Sequence, residues 1–142
     1  MNVEQFENLR NFSAIENWGD ISIVKWYHVH HLFLIRSKIN WPMAIHCCAS
    51  TSGHSENSFH YKGLATDFHF VTADSLVNQF SKLEGIIDSL GLTDFLGVGV
   101  YPEWRPYPGG FHIDSRGSRI RWIRKDGIYK YGDNENIISN LS

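Results

Sequence analysis

Two cysteines in 142 residues are too few to staple a small domain, and here they are adjacent, Cys47 and Cys48. Neighbours on a strand point to opposite faces, which disfavours a disulfide between them, and two thiols alone do not make a zinc site. Both read as core fillers of a chain made in a reducing compartment. No apolar run is long enough to span a bilayer. Residues 1–10 are polar, carry Glu4 and Glu7, and lack the basic start and apolar run of a secretory signal, so synthesis in the cytoplasm without a signal peptide is expected. A formal charge of −2 gives no electrostatic reason for a nucleic-acid or membrane partner. The basic residues that gather late, Arg116, Arg119, Arg121, Arg124 and Lys125, read as a solvated strand face. No repeat, low-complexity segment or linker divides the chain. With 42% hydrophobic and 20% charged residues, a single globular domain over 1–142 is expected.

What is present is periodicity of both kinds. Asp20 is placed to cap a helix over 20–39, in which Ile21, Val24, His28, His31, Ile35 and Ile39 fall near one face. Asn40-Trp41-Pro42 ends it, because proline disfavours helix in the residue before it. Residues 43–48 read as a short buried strand, and 49–57 as a polar loop of the kind that borders a site. The strand expected over 64–71 alternates Leu64, Thr66, Phe68 and Phe70 with Ala65, Asp67, His69 and Val71. A helix over 75–90 follows, with Asp74 as its cap, Gly91 as its stop and Leu76, Phe80, Leu83 and Ile87 as its stripe. Strands are expected at 96–101, 111–114 and 120–123, with Lys125-Asp126-Gly127 turning into a last one at 128–131. The fold class is therefore α+β: one domain with a small, mainly antiparallel sheet flanked by helices.

Chemistry concentrates in two segments. In Ser58-Phe59-His60-Tyr61-Lys62-Gly63-Leu64-Ala65-Thr66-Asp67, a glycine-assisted turn can bring the His60 imidazole to the Asp67 carboxylate, and Ala65 leaves room beside them. In Gly110-Phe111-His112-Ile113-Asp114, alternation puts His112 and Asp114 on one face and sends Phe111 and Ile113 to the core. Such groups can converge on a metal ion. Each segment alone also fits a chance spacing or a hydrogen-bonded surface pair. His28 and His31, one helical turn apart, read as core or helix-surface histidines, since nothing nearby completes a site. His69 reads as a packed residue beside the cavity, and Ser58 as a loop stabiliser that bonds backbone. Tyr101, Trp104 and Tyr107 form either an aromatic rim for a ligand or the packing of a Pro-rich loop.

The first segment fits S-x-H-x-x-G-x-A-x-D at every fixed position. In this it resembles the first zinc motif of the zinc D-alanyl-D-alanine carboxypeptidases and L-alanyl-D-glutamate endopeptidases, whose fold is shared with hedgehog signalling domains. The second resembles the closing region of a phage and bacterial branch of that group. It runs from Gly97-Val98-Gly99-Val100-Tyr101-Pro102 through Phe111-His112-Ile113-Asp114-Ser115-Arg116 to Arg121-Trp122. With the upstream helix and Trp41-Pro42-Met43-Ala44-Ile45, the resemblance covers residues 11–123. It implies Zn²⁺ held by His60, Asp67 and His112, and hydrolysis of an amide bond in a peptidoglycan peptide. A chain without a signal peptide would need release from the cell, or carriage in a phage virion, to reach the cell wall. Zinc would polarise the scissile carbonyl and acidify water, while a nearby carboxylate would relay the proton.

Two departures bear on activity. The acidic residue that many members carry three before the last ligand is Gly109 here. Asp114 is the first substitute, or else a partner that orients a ligand or Arg116; Glu103 is the second, or else an ordinary exposed glutamate. The arginine that related peptidases often carry before the first motif is missing from Ala49-Ser50-Thr51-Ser52-Gly53-His54-Ser55, where His54 is either a partial substitute or a solvated loop residue. An alternative expectation follows: a zinc-binding, non-catalytic virion-structural or cell-wall-binding domain.

Overall fold

The computed structural model describes residues 1–142. A short helix α1 (Val3–Glu7) is followed by α2 (Trp26–Lys38), β1 (Met43–Cys47), a 3₁₀ turn (Phe59–Lys62) and β2 (Ala65–Phe70). Then come α3 (Leu76–Ser89), β3 (Gly97–Tyr101), β4 (Gly110–Asp114), β5 (Ile120–Lys125), β6 (Ile128–Tyr131) and α4 (Asn134–Leu141). The six strands form one sheet in the order β1-β2-β4-β3-β5-β6, antiparallel except for the parallel pair β3–β5. The fold is α+β with a mostly antiparallel sheet.

One face of the sheet carries Phe68, Phe70, Phe111, Ile113, Val98, Val100 and Ile123, all buried with Val29, Leu32 and Ile35 of α2 and Phe80, Leu83 and Ile87 of α3. Strand alternation therefore turns Asp67, His112 and Trp122 to the other face. Because helices cover only one side, that second face is free to form a site.

Several local expectations are corrected. Helix α2 begins at Trp26, not near Asp20. The Asp20 carboxylate instead accepts from the amide and hydroxyl of Ser22, a turn geometry that competes with helix. The amide of Lys25 donates to the Gly63 carbonyl, and Gly63, at φ +67°, packs so tightly that a Cβ there would lie 2.1 Å from the Ile23 carbonyl oxygen. Tertiary contact with this turn, not a side-chain cap, sets the start of α2. In α3 the cap is Ser75, whose hydroxyl accepts from the Asn78 amide, rather than Asp74. Arg121 is not on a solvated face. It points to the helix side, 1% exposed, with its guanidinium on Glu84 of α3 and donating 2.6 Å to the Leu96 carbonyl. The tail beyond the last strand is helical, capped by Asp133. No helix is long and apolar enough to cross a membrane.

Candidate metal centre

One row of residues crosses the sheet on its free face: Cys47, Asp67, His112, Gly99, Trp122 and Tyr131 lie side by side on successive strands. His60 joins the row from the 3₁₀ turn. The Ser58 hydroxyl accepts from the His60 amide and caps that turn, as expected from sequence, and Gly63 closes it in the left-handed conformation. The seven-residue spacing thus becomes one tight turn that returns His60 over the Asp67 strand.

The three side chains meet. His60 Nε2 lies 3.2 Å from Asp67 Oδ2, and His112 Nδ1 lies 2.8 Å from Asp67 Oδ1. One donor atom from each of the three falls within 4.8 Å of the others. Each imidazole is held from behind by its other nitrogen. His60 Nδ1 donates 2.7 Å to the Cys48 carbonyl, and His112 Nε2 donates 3.0 Å to Asp114 Oδ2. Metal-ligating histidines are oriented in this way, since the rear hydrogen bond fixes which nitrogen faces the ion. Two nitrogens and one carboxylate oxygen at this spacing could hold a metal ion.

The electrostatics follow from the same contacts. Burial pushes Asp67 upward, but its bonds to His112 and His60 outweigh that and hold it well below the usual carboxylate range. Burial pushes His60 downward, yet the Asp67 carboxylate beside it raises it to about 10. His112 is likewise raised, its burial outweighed by Asp114 and Asp67.

Asp114 lies behind His112 rather than facing the convergence point. It is fully buried, and Arg116 clamps it with Nε and Nη2, each 2.6 Å from a carboxylate oxygen. The glycines of β3 make this possible. A Cβ on Gly97 would stand 2.6 Å from Asp114 Oδ2, and one on Gly99 would enter the Trp122 ring at 2.1 Å. Arg116 also sits over the Phe59 ring, 4.7 Å from its centroid, which ties the two motifs together. Glu103 lines the same cleft as the three donors, at its rim, where Oε2 accepts 3.1 Å from the Asp126 amide. Gly109 has no room for a side chain, since a Cβ would lie 2.5 Å from Leu76 and 2.7 Å from the Tyr101 carbonyl oxygen.

The cleft encloses about 810 Å³. Of the three aromatics left open between rim and packing, Tyr101 and Trp104 border it, together with Trp122 of the closing motif and with Tyr129 and Tyr131, which sequence alone did not single out. Tyr107 stacks on His69 instead, with ring centroids 3.6 Å apart. His69 meets His46 at 2.6 Å, outside the three-donor cluster. His28 and His31 hold no metal cluster. Both bond the Ser115 hydroxyl, and His28 also reaches Thr66 Oγ1 at 2.8 Å, bracing the residues next to Asp114 and Asp67.

Cys47 is the clearest miss. A bulge between Ile45 and Cys47 shifts the register, so Cys47 pairs with Asp67 at the site instead of filling the core. Its Sγ lies 3.8 Å from His54 Nε2, and the His54 ring stacks on His60 at 4.1 Å. Cys48 does fill the core, and burial pushes its thiol up to about 12. Set against protein-family models, curated proteins and solved structures, the chain matches none of them.

Proposed function

We propose that the chain is a zinc-dependent peptidase that hydrolyses amide bonds in bacterial peptidoglycan peptides. The observation that carries this is the convergence of His60, Asp67 and His112 with both imidazoles anchored from behind. Its agreement with the ordered motifs of the zinc carboxypeptidase and endopeptidase group supports it. His60 Nε2, the Asp67 carboxylate and His112 Nδ1 would hold the ion. Zinc bound there would supply Lewis acidity, polarising a carbonyl and acidifying water. Asp114 is a positioning residue: it orients His112 and is itself held by Arg116. Glu103 is the cleft carboxylate left to carry a proton between water and the leaving amine. The aromatic wall of Tyr101, Trp104 and Trp122 packs the substrate and excludes water from it.

A second reading, a zinc-binding domain without catalysis, is favoured by one feature: Gly109 leaves no space for the usual acidic group, and Glu103 is tied to the β5–β6 turn. Elemental analysis of wild type and His112→Ala, followed by muropeptide digestion with wild type and Glu103→Gln, tests both. About one zinc per chain, lost in His112→Ala, and cleavage slowed in Glu103→Gln with zinc retained are expected. Wild type that takes up no zinc refutes the metal centre. Wild type that holds zinc and cleaves nothing establishes the non-catalytic reading.

A further inference from the structure

A second set of donors shares His60 with the first. Cys47 Sγ, His54 and His60 each offer a ligand atom, and these lie within 4.8 Å of one another. His60 has a single nitrogen to offer, Nε2, because Nδ1 is committed to the Cys48 carbonyl. A lone pair on one nitrogen serves one ion, so the two sets cannot be filled together. They also differ in chemistry. Asp67 with two imidazoles is a nitrogen and oxygen set, whereas Cys47 with two imidazoles adds a soft, polarisable thiolate. Cys47 is half-buried and pairs with Asp67 across the strands, while Cys48 is fully enclosed. His54 sits on the polar loop, where the Tyr61 hydroxyl bridges its backbone amide and carbonyl at 2.9 and 2.7 Å. The backbone of His54 is thereby fixed beside Cys47, and only its ring must turn out of the stack on His60 to meet a shared ion.

We infer that Cys47, His54 and His60 form a thiolate-containing site for a thiophilic cation such as Cd²⁺ or Cu⁺, which competes with the Asp67–His112 position for His60. A soft ion there withdraws one of the three ligands from the first centre, so the protein's metal content and activity become sensitive to thiophilic metals. The competition rests on the proposed zinc reading, but the site itself does not.

Cadmium separates the two. The reduced full-length chain, stripped with chelator, is titrated with Cd²⁺ while the ultraviolet thiolate-to-cadmium charge-transfer band is followed. The band is expected in wild type and in Asp67→Asn, absent in Cys47→Ser, and shifted to at least ~10-fold higher cadmium in His54→Ala. Wild type preloaded with zinc is expected to release it to a chromophoric chelator as the band grows, whereas Cys47→Ser shows no band to accompany any release. No band in wild type, or a band that survives Cys47→Ser, overturns the site. A band lost in Asp67→Asn as in Cys47→Ser overturns it too, by placing the thiolate on the first ion. Zinc that stays bound while the band grows overturns the competition. If wild type takes up no zinc at all yet shows the Cys47-dependent band, the zinc reading fails while the thiolate site stands.

Discussion

His28 is a buried, neutral histidine beneath the site, and acidification should expose what it costs to keep it neutral. Its ring has no exposed surface, and burial lowers it from the ordinary 6.5 to about 3. The unfolded chain therefore binds a proton at His28 below pH 6.5 that the folded chain refuses until about pH 3. Stability contributed by the neutral ring is complete above 6.5, is lost as pH falls through that window, and stops falling near pH 3. At about 1.4 kcal/mol per pH unit, the loss between pH 7 and pH 5 is about 2 kcal/mol. His31, His54 and His69 are also lowered by burial and lose stability in the same direction over this window, so only the difference between wild type and a variant at position 28 isolates His28. Asp67 and Asp114, held below the carboxylate range, lose their contribution only under about pH 4. His60 and His112 are raised, so their contribution is present below 6.5 and lost toward higher pH, alike in both proteins compared. The assay is urea unfolding of wild type and His28→Gln at pH 7 and pH 5, both with chelator. Glutamine keeps polar atoms for Thr66 and Ser115 but does not titrate. Wild type should lose about 2 kcal/mol more than the variant across the two pH values. Equal losses refute the reasoning, whatever the variant's absolute stability.

The buried Arg121–Glu84 pair gives a second prediction. Glu84→Ala leaves a guanidinium enclosed without its counter-charge and should cost about 3–5 kcal/mol in urea unfolding. The double variant Arg121→Met with Glu84→Leu should recover most of that; a double variant weaker than the single would show that the loss is packing rather than charge. Asp114→Ala should weaken zinc about 10–100-fold, read by chelator competition, because His112 loses its rear acceptor. Unchanged zinc affinity with abolished hydrolysis would make Asp114 a catalytic residue instead of a positioning one.

The sequence by itself determined whatever depends on residues close along the chain. The stripe of Leu76, Phe80, Leu83 and Ile87 is the buried face of α3, and the strand at 128–131 is β6. Alternation in β2 and β4 alone put Asp67 with Ala65, and His112 with Asp114, on a face opposite the core. The His60–Asp67 meeting was legible because seven residues and one glycine make a single turn. Other features were decided by partners distant in sequence. Asp20 spent its carboxylate on Ser22, and the start of α2 was set by the Gly63 turn packing against Ile23. Arg121 looked like one of five late surface cations, until Glu84 on a helix 37 residues earlier became its partner. Cys47 moved from core to site through one bulged residue, which no alternating pattern encodes. Periodicity reports which face a residue takes within its own element, whereas a register shift or a buried counter-charge exists only once two elements have docked.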